Sequence, residues 1–419
     1  MDRTETDWRT DYLTAEDVIG MLDIRLQTLY AYVSRGLIRS VEQAGQKKRL
    51  YLRDDVEKVQ ARSLARAGHG PVAASAMNLG EPIIPTSITE ISPQGPRYRG
   101  HLAVNLMQEG ARFEQVAELL WTGLWHDEPV RWPVVPQVPE LRKLAASISA
   151  PQTADQLLET FALFVLRLGM TRGTIADRVR IGNTLDAARG IIQTLTGCFG
   201  YISARQSFQA MLPGQSIVDG LVRSLGVKDT KENRAAFEAI LMLLADHELS
   251  PATFAARVAA SCGSALHSCI VSAICAGSGV HVGRLYDRVE TFFARASTKA
   301  VLLRRAERFL DAGNAVPGFG HPLYPHGDPR SQALLDIARR RKGASRQVDA
   351  IFGFIDEAQA KYGLHPRHEL AVTTLAISMG LPQHSAGGLF TLARTAGWVA
   401  HVHEQRLSGT LLRPRAKFI

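Results

Sequence analysis

Cysteine is scarce. The chain has 419 residues and four cysteines, too few to staple a chain of this length, which excludes a disulfide scaffold. Long apolar runs are missing as well. The longest stretch without Lys, Arg, Asp or Glu runs from Val258 to Gly283 and consists of Ala, Ser, Cys, Gly and two His among sparse larger apolar residues. That composition suits a small-residue helix in a helical core better than a membrane span. No glycine-rich loop of the Walker or dinucleotide type follows a strand, which argues against a nucleotide fold built on one. No repeat of fixed period occurs, which argues against a solenoid. No series of alternating strands occurs either, which argues against a parallel α/β sheet. The opening MDRTETDWRTDYL is acidic and polar, unlike a secretory leader. The expectation is a cytoplasmic protein.

What is present is ordinary in proportion, with 46% hydrophobic and 21% charged residues. At roughly 150 residues per domain the length suggests two or three domains. The net charge of +9 and pI near 9.5 allow nucleic acid, anionic lipid or a phosphorylated, carboxylated small molecule as partner. A basic surface with no special partner is equally compatible.

In the first seventy residues, Thr14 followed by Asp17 reads as an N-cap with an acidic N3 residue, ahead of Val18, Met21 and Leu22. Leu26, Leu29, Tyr30 and Val33 recur at helical spacing, and Gly36 suits a C-cap. Residues 39–53 suggest two short strands, and a helix begins at Asp54. Between Arg35 and Arg66 stand nine basic residues (Arg35, Arg39, Lys47, Lys48, Arg49, Arg53, Lys58, Arg62, Arg66) against four acidic ones (Glu42, Asp54, Asp55, Glu57). Such a surplus suits phosphate contacts, and residues 12–62 are a candidate DNA-binding segment. A domain of this shape that makes protein contacts is the alternative. Residues 67–85, rich in Ala, Gly and Pro, read as a linker.

The remainder reads as mainly α-helical, with helices expected over 153–169, 174–195, 215–226, 231–249, 251–277, 285–296, 298–312, 329–342, 346–361, 369–380 and 385–403. Phe113, Val116, Leu119, Leu120 and Leu124 are expected on one helical face. Cys262, Cys269 and Cys275 would share a single long helical run with His267. Their spacing suits small buried thiols better than zinc ligands.

Polar clusters interrupt the apolar text. Asp246-His247-Glu248-Leu249 closes one helix before Ser250-Pro251 opens the next. GSGVHVG places His281 at a turn or helix start. PGFGHPLYPHGDPR (317–330) carries His321 and Arg330 in a run where Pro322, Pro325 and Pro329 restrict the backbone. A rigid loop presenting an imidazole and a guanidinium can bind a carboxylated substrate, or it can be a structural turn.

Taken together these segments resemble the citrate synthase family. HELSPATFAARVAAS, GVHVG, PGFGHPLYPHGDPR, LARTAGWVAHVHEQ (392–405) and LLRPRAKF (411–418) are similar to its motifs, in order, over most of the region from Thr86. The N-terminal 1–66 resembles the winged helix-turn-helix domain of the MerR/excisionase type, with LQTLYAYVSRGLI on its recognition helix and GQKKRLYL on its wing. The resemblance implies a citrate synthase-like region at 86–419, with a large helical domain at about 86–283 and 388–419 and a small one at about 284–387.

The resemblance also implies a reaction. Acetyl-CoA, as co-substrate with no permanently bound cofactor, would condense with oxaloacetate, and hydrolysis would give citrate and CoA. His281 would hydrogen-bond the thioester oxygen of the forming enol, and His321 the ketone oxygen. His247, Arg330, Arg394 and the partner subunit's Arg413 would hold oxaloacetate in a homodimer. On their own, Arg394 and Arg413 read as surface or C-cap residues.

The sequence departs from the family pattern at the base. Counting back from Gly380-Leu381-Pro382 places Glu369 where the family has Asp, and it is the only acidic residue between Glu357 and Glu404. Glutamate can accept a proton, but its extra methylene moves the carboxylate by roughly 1 Å, a displacement worth about a hundredfold in rate. A helix N-terminal acid that complements the macrodipole is the other reading. Val282 stands where the family has Gly, Arg284 stands where a small residue is usual, and Pro322-Leu323-Tyr324-Pro325 replaces basic residues near CoA phosphates. Propionyl-CoA and a 2-methylcitrate product remain open. So does a regulator that senses a CoA ester or oxo acid through a weakened site.

Overall fold

The computed structural model describes residues 12–34, 37–42, 49–53, 55–57, 59–60, 84–135, 138–148, 156–171, 181–341 and 345–413. Gly36, the wing turn at 43–48 and nearly all of the 67–85 linker lie outside them. The chain divides into two units, Met1–Pro85 with Arg415–Ile419, and Thr86–Pro414.

In the first unit β1 (Tyr12–Leu13) leads into α1 (Ala15–Leu22) and α2 (Leu26–Ser34), followed by β2 (Ser40–Glu42) and β3 (Arg49–Leu52). Thr14 and Asp17 form the reciprocal capping box that their spacing predicts. The strands make an antiparallel sheet in the order β1-β3-β2. Val18, Leu22, Leu29, Ile38, Tyr51 and Val56 form a small core. Arg39, counted above among phosphate-contact residues, turns its guanidinium onto buried Asp55 at 2.8 and 3.0 Å.

The second unit begins with a small antiparallel sheet of β4 (Thr89–Ser92), β5 (Gly95–Tyr98) and β6 (His101–Leu102). Helices follow: α3 (Ala103–Gln108), α4 (Phe113–Thr122), α5 (Pro139–Ser147), α6 (Leu157–Met170), α7 (Ile181–Cys198), α8 (Ile217–Leu225) and α9 (Lys231–Leu243). Next come α10 (Pro251–Ser261), α11 (Leu266–Gly277), α12 (Arg284–Phe293), α13 (Lys299–Asp311), α14 (Pro329–Arg339), α15 (Arg346–Tyr362), α16 (His368–Ser378) and α17 (Ser385–Ser408). Among the described residues no helix is long and apolar enough to cross a membrane.

Some expected boundaries move. The helix expected over 251–277 is two, α10 and α11, because Gly263 adopts φ +78° and turns the chain between them. Cys262 therefore lies off the helix that carries Cys269 and Cys275; of these three thiols expected to be buried only Cys269 is, and Cys262 and Cys275 are exposed. The helix expected to reach 249 stops at Leu243 with its C-cap at Leu244, and Glu248 takes φ +56° in the turn beyond it. Leu124 lies past the αL cap at Gly123 and is 65% exposed, off the buried face that Phe113, Val116, Leu119 and Leu120 share.

The second core is one continuous apolar cluster. α17 runs through it, buried on most faces, with Trp398 fully enclosed, and packs on α4, α7, α9, α10 and α11. An all-round apolar helix of this kind belongs at the centre of a helical protein. It carries Arg394 inward.

Candidate active site

Each polar cluster is held by a different device. The turn after α9 is gathered by Tyr98, whose hydroxyl faces the carbonyl oxygens of Met242, Leu243 and Asp246 at 3.1, 3.1 and 3.2 Å. Burial opposes ionisation of the Asp246 carboxyl, but His401 at 3.2 Å, together with Arg394, offsets it and the carboxyl lies below its ordinary range. Ser250 caps α10 through the Thr253 N–H, with Pro251 at N1. His247 is thus fixed at both ends. Its Nε2 lies 3.2 Å from the Tyr324 hydroxyl, and its ring centre lies 5.7 Å from that of His321.

The 317–330 loop is pinned to the start of α16. The Gly320 N–H donates to His365 O at 3.0 Å, and the Arg367 N–H to Gly318 O at 2.8 Å. Gly318, at φ +84°, lies so close that a Cβ there would be 2.8 Å from Leu370 Cβ. Within the loop the Leu323 N–H donates to His321 Nδ1 at 3.1 Å. An Nδ1 that accepts leaves the proton on Nε2, so the ring is a neutral donor. Burial first, and Arg330 second, lower the His321 pKa to about 4. The same two causes, in that order, hold His247 and His368 well below their usual value.

Arg330 is fully buried. Its Nε and Nη2 fork onto Asp328 at 3.0 and 2.7 Å, while Nη1 has no hydrogen-bond partner among the described residues. Burial resists ionisation of Asp328, yet Arg330 outweighs it and keeps the carboxyl below its usual range. Buried Arg394 donates from Nε to Leu244 O at 2.9 Å and lies over the Phe390 ring at 4.9 Å. An unpaired buried guanidinium nitrogen beside neutral imidazoles makes a receptor for a carboxylate.

Glu369 is buried in the first turn of α16. Arg367 forks onto it, Nε to Oε2 at 3.1 Å and Nη2 to Oε1 at 2.8 Å. The His368 Nδ1 lies 3.5 Å from Glu369 Oε2 and 3.1 Å from the Tyr286 hydroxyl. The His321 and His368 ring centres are 6.2 Å apart.

The fold therefore gathers His247, His321 and Arg330, with Glu369 joined to them through His368. His281 stands apart: it is exposed in the turn between α11 and α12 and makes no hydrogen bond or ring contact with the others. Val282 lies outside the φ > 0 region, so the side chain at that position imposes no backbone strain. Arg413 is exposed in the coil after α17.

Tyr324, Tyr286, His368, Arg367 and Asp328 join the site without having been assigned a role from sequence. Only Asp328 carried a local signal, as the N-cap of α14 two residues before Arg330. The nitrogen and carboxylate atoms of His321, Asp328 and His368 approach within 4.8 Å of one another. That donor set suits a cation poorly, because both Asp328 oxygens face Arg330 and the surrounding field is positive.

Comparison with known proteins gives this geometry its relatives. The family model "Citrate synthase, C-terminal domain" matches residues 79–415. The chain is similar to citrate synthase 2 of Bacillus subtilis, 25% identical over 80% of this chain and 92% of that protein. It is also similar to 2-methylcitrate synthase 2 of Corynebacterium glutamicum, 28% identical over 80% and 91%. Among solved structures, a ternary complex of citrate synthase from Thermoplasma acidophilum with carboxymethyl coenzyme A and oxaloacetate has a TM-score of 0.67 at 22% identity, over 82% of this chain and 96% of that one. Citrate synthase from Thermotoga maritima has a TM-score of 0.66 at 22% identity, over 81% and 94%. With the family profile spanning most of its length, the chain belongs to the citrate synthase family.

Proposed function

We propose that the protein condenses acetyl-CoA with oxaloacetate and hydrolyses the resulting thioester to citrate and CoA. The observation that carries this reading is the proton placement on His321. A ring whose Nδ1 is filled by the Leu323 N–H offers Nε2–H to an oxygen that gains charge, next to an Arg330 Nη1 that has no partner among the described residues. A ketone flanked by a carboxylate fits that pair.

In this reading Glu369 takes a methyl proton of acetyl-CoA, and the enol carbon forms a bond to the ketone carbon. The ketone π pair moves to oxygen, which is protonated from His321 Nε2, and the proton taken by Glu369 is returned to restore the neutral imidazole. Water then attacks the citryl thioester and the thiolate leaves as CoA. His281 of the open turn serves the thioester oxygen once the acyl group is bound. His247, Arg330, Arg394 and, in a homodimer, the partner subunit's Arg413 hold the carboxylates. The relatives include a 2-methylcitrate synthase, so propionyl-CoA is the second acyl donor to try. The assay is CoA release with acetyl-, propionyl- and butyryl-CoA and oxaloacetate, wild type beside Glu369→Ala. We expect turnover with at least one donor and a loss of more than about a hundredfold in the variant; absence of turnover with all three rejects the reading.

A second reading concerns the first unit. α2 leaves Gln27, Tyr30 and Ser34 on its exposed side, and it precedes the β2–β3 pair, the order a winged DNA reader uses. We propose duplex DNA as its partner. A retardation assay at two salt concentrations should show binding that weakens with salt; no retardation at low salt rules it out.

A further inference from the structure

Glu369 raises a problem of reach, and its neighbour Arg367 bears on it. Resting on the condensation reading, we infer that Arg367 is a positioning residue that makes a glutamate workable as the base at this place. The side chain of Glu369 has one more rotor than aspartate, and burial alone leaves the carboxylate free to turn. Arg367 removes that freedom with a planar fork that engages both oxygens, at 3.1 and 2.8 Å. The contact spans only two residues, so it draws the carboxylate back toward the start of α16. Each oxygen keeps a second lone pair for a proton.

The fork is anchored to the rest of the site. The Arg367 N–H donates to Gly318 O at 2.8 Å, and its carbonyl accepts from Ser331 Oγ at 3.2 Å. One residue thus joins the base to both ends of the loop that carries His321 and Arg330. The Arg367 side chain is 25% exposed and that of Glu369 only 4%, so the cation stands on the outer side of the carboxylate, whose Oε2 lies 3.5 Å from His368 Nδ1. A residue that merely capped α16 or closed a surface ion pair would need neither the second nitrogen nor the anchoring.

The test is a double-mutant cycle on the full-length protein. Arg367→Gln should lower kcat by about 10- to 100-fold with KM for both substrates within about threefold, the signature of lost alignment. Arg367→Lys keeps the charge without the fork and should recover less than about a third of the lost rate. Glu369→Asp has a carboxylate too short to fill the fork. In that background Arg367→Gln should cost less than about threefold, a strongly non-additive cycle. Thermal unfolding of each variant, and of Arg367→Gln with Glu369→Gln, separates lost fold from lost alignment.

A loss of the same factor in both backgrounds overturns the inference. So does an Arg367→Gln variant that folds and turns over within threefold of wild type. A wild type that releases no CoA rejects the condensation reading itself and the positioning role with it, an outcome distinct from an active wild type with an additive cycle.

Discussion

At the scale of single residues, the proposed chemistry rests on groups whose types were legible and whose partners were not. His247, His321, Arg330 and Glu369 stand out in the sequence because each sits at a Gly or Pro break or at a helix start. Arg367, Tyr324 and Tyr286 do not, because their meaning lies in contacts made across the fold. Gly397 shows the same limit. Within α17 it reads as a mild helix weakener, yet a Cβ there would lie 2.1 Å from Asp246 Oδ1 and 2.6 Å from Ala245 O. Its N–H also donates to Ala245 O at 3.0 Å. Gly397→Ala must therefore push the 245–247 turn outward. The expected result is a loss of about 1–3 kcal/mol in stability with a rise in KM for the oxo acid, read by denaturant unfolding and by steady-state kinetics. Unchanged values for both would show that the turn can give way.

At the scale of elements, most helices were legible from apolar spacing. At Gly263 one residue with φ > 0 ends a helix that composition would continue; α9 also stops short of expectation, at Leu243, and α17 runs past it to Ser408. Helix starts hold a less visible device. Buried Glu114 of α4 accepts the N–H of Ile217, the first residue of α8, at 2.7 Å, and buried Glu238 of α9 accepts the N–H of Phe113, the first residue of α4, at 2.8 Å. Burial first, then the Glu238 charge, raises the Glu114 pKa to about 7. A carboxyl raised on folding favours the folded state below its unfolded value, near 4.5, and loses that contribution as pH climbs through 7. Glu114→Gln keeps the acceptor and removes the titration. It should therefore raise the unfolding midpoint at pH 8 relative to wild type and leave little difference at pH 4.5. The opposite order would mean that folding favours the charged form of Glu114.

For the whole molecule, the helical class and the order of the site segments were legible from composition and motif order. The assembly of distant segments was not, since periodicity says nothing of which helices touch. His247, His321 and His368 are each held neutral by burial and neighbouring arginines. Their lowered pKa values mean the unfolded chain takes up protons first. Their contribution to stability should be fullest above about pH 6.5 and fall as pH drops from there toward 4, where His321 itself titrates. Unfolding midpoints measured across that range should fall less in His321→Asn and His368→Asn than in wild type. The turn that carries His247 is closed by Tyr98 from one side and by Gly397 and His401 from the other. These partners lie some three hundred residues apart in the numbering. A nascent chain that stops short of α17 lacks Arg394, Gly397 and His401, so the turn that carries His247 can close only after α17 has emerged.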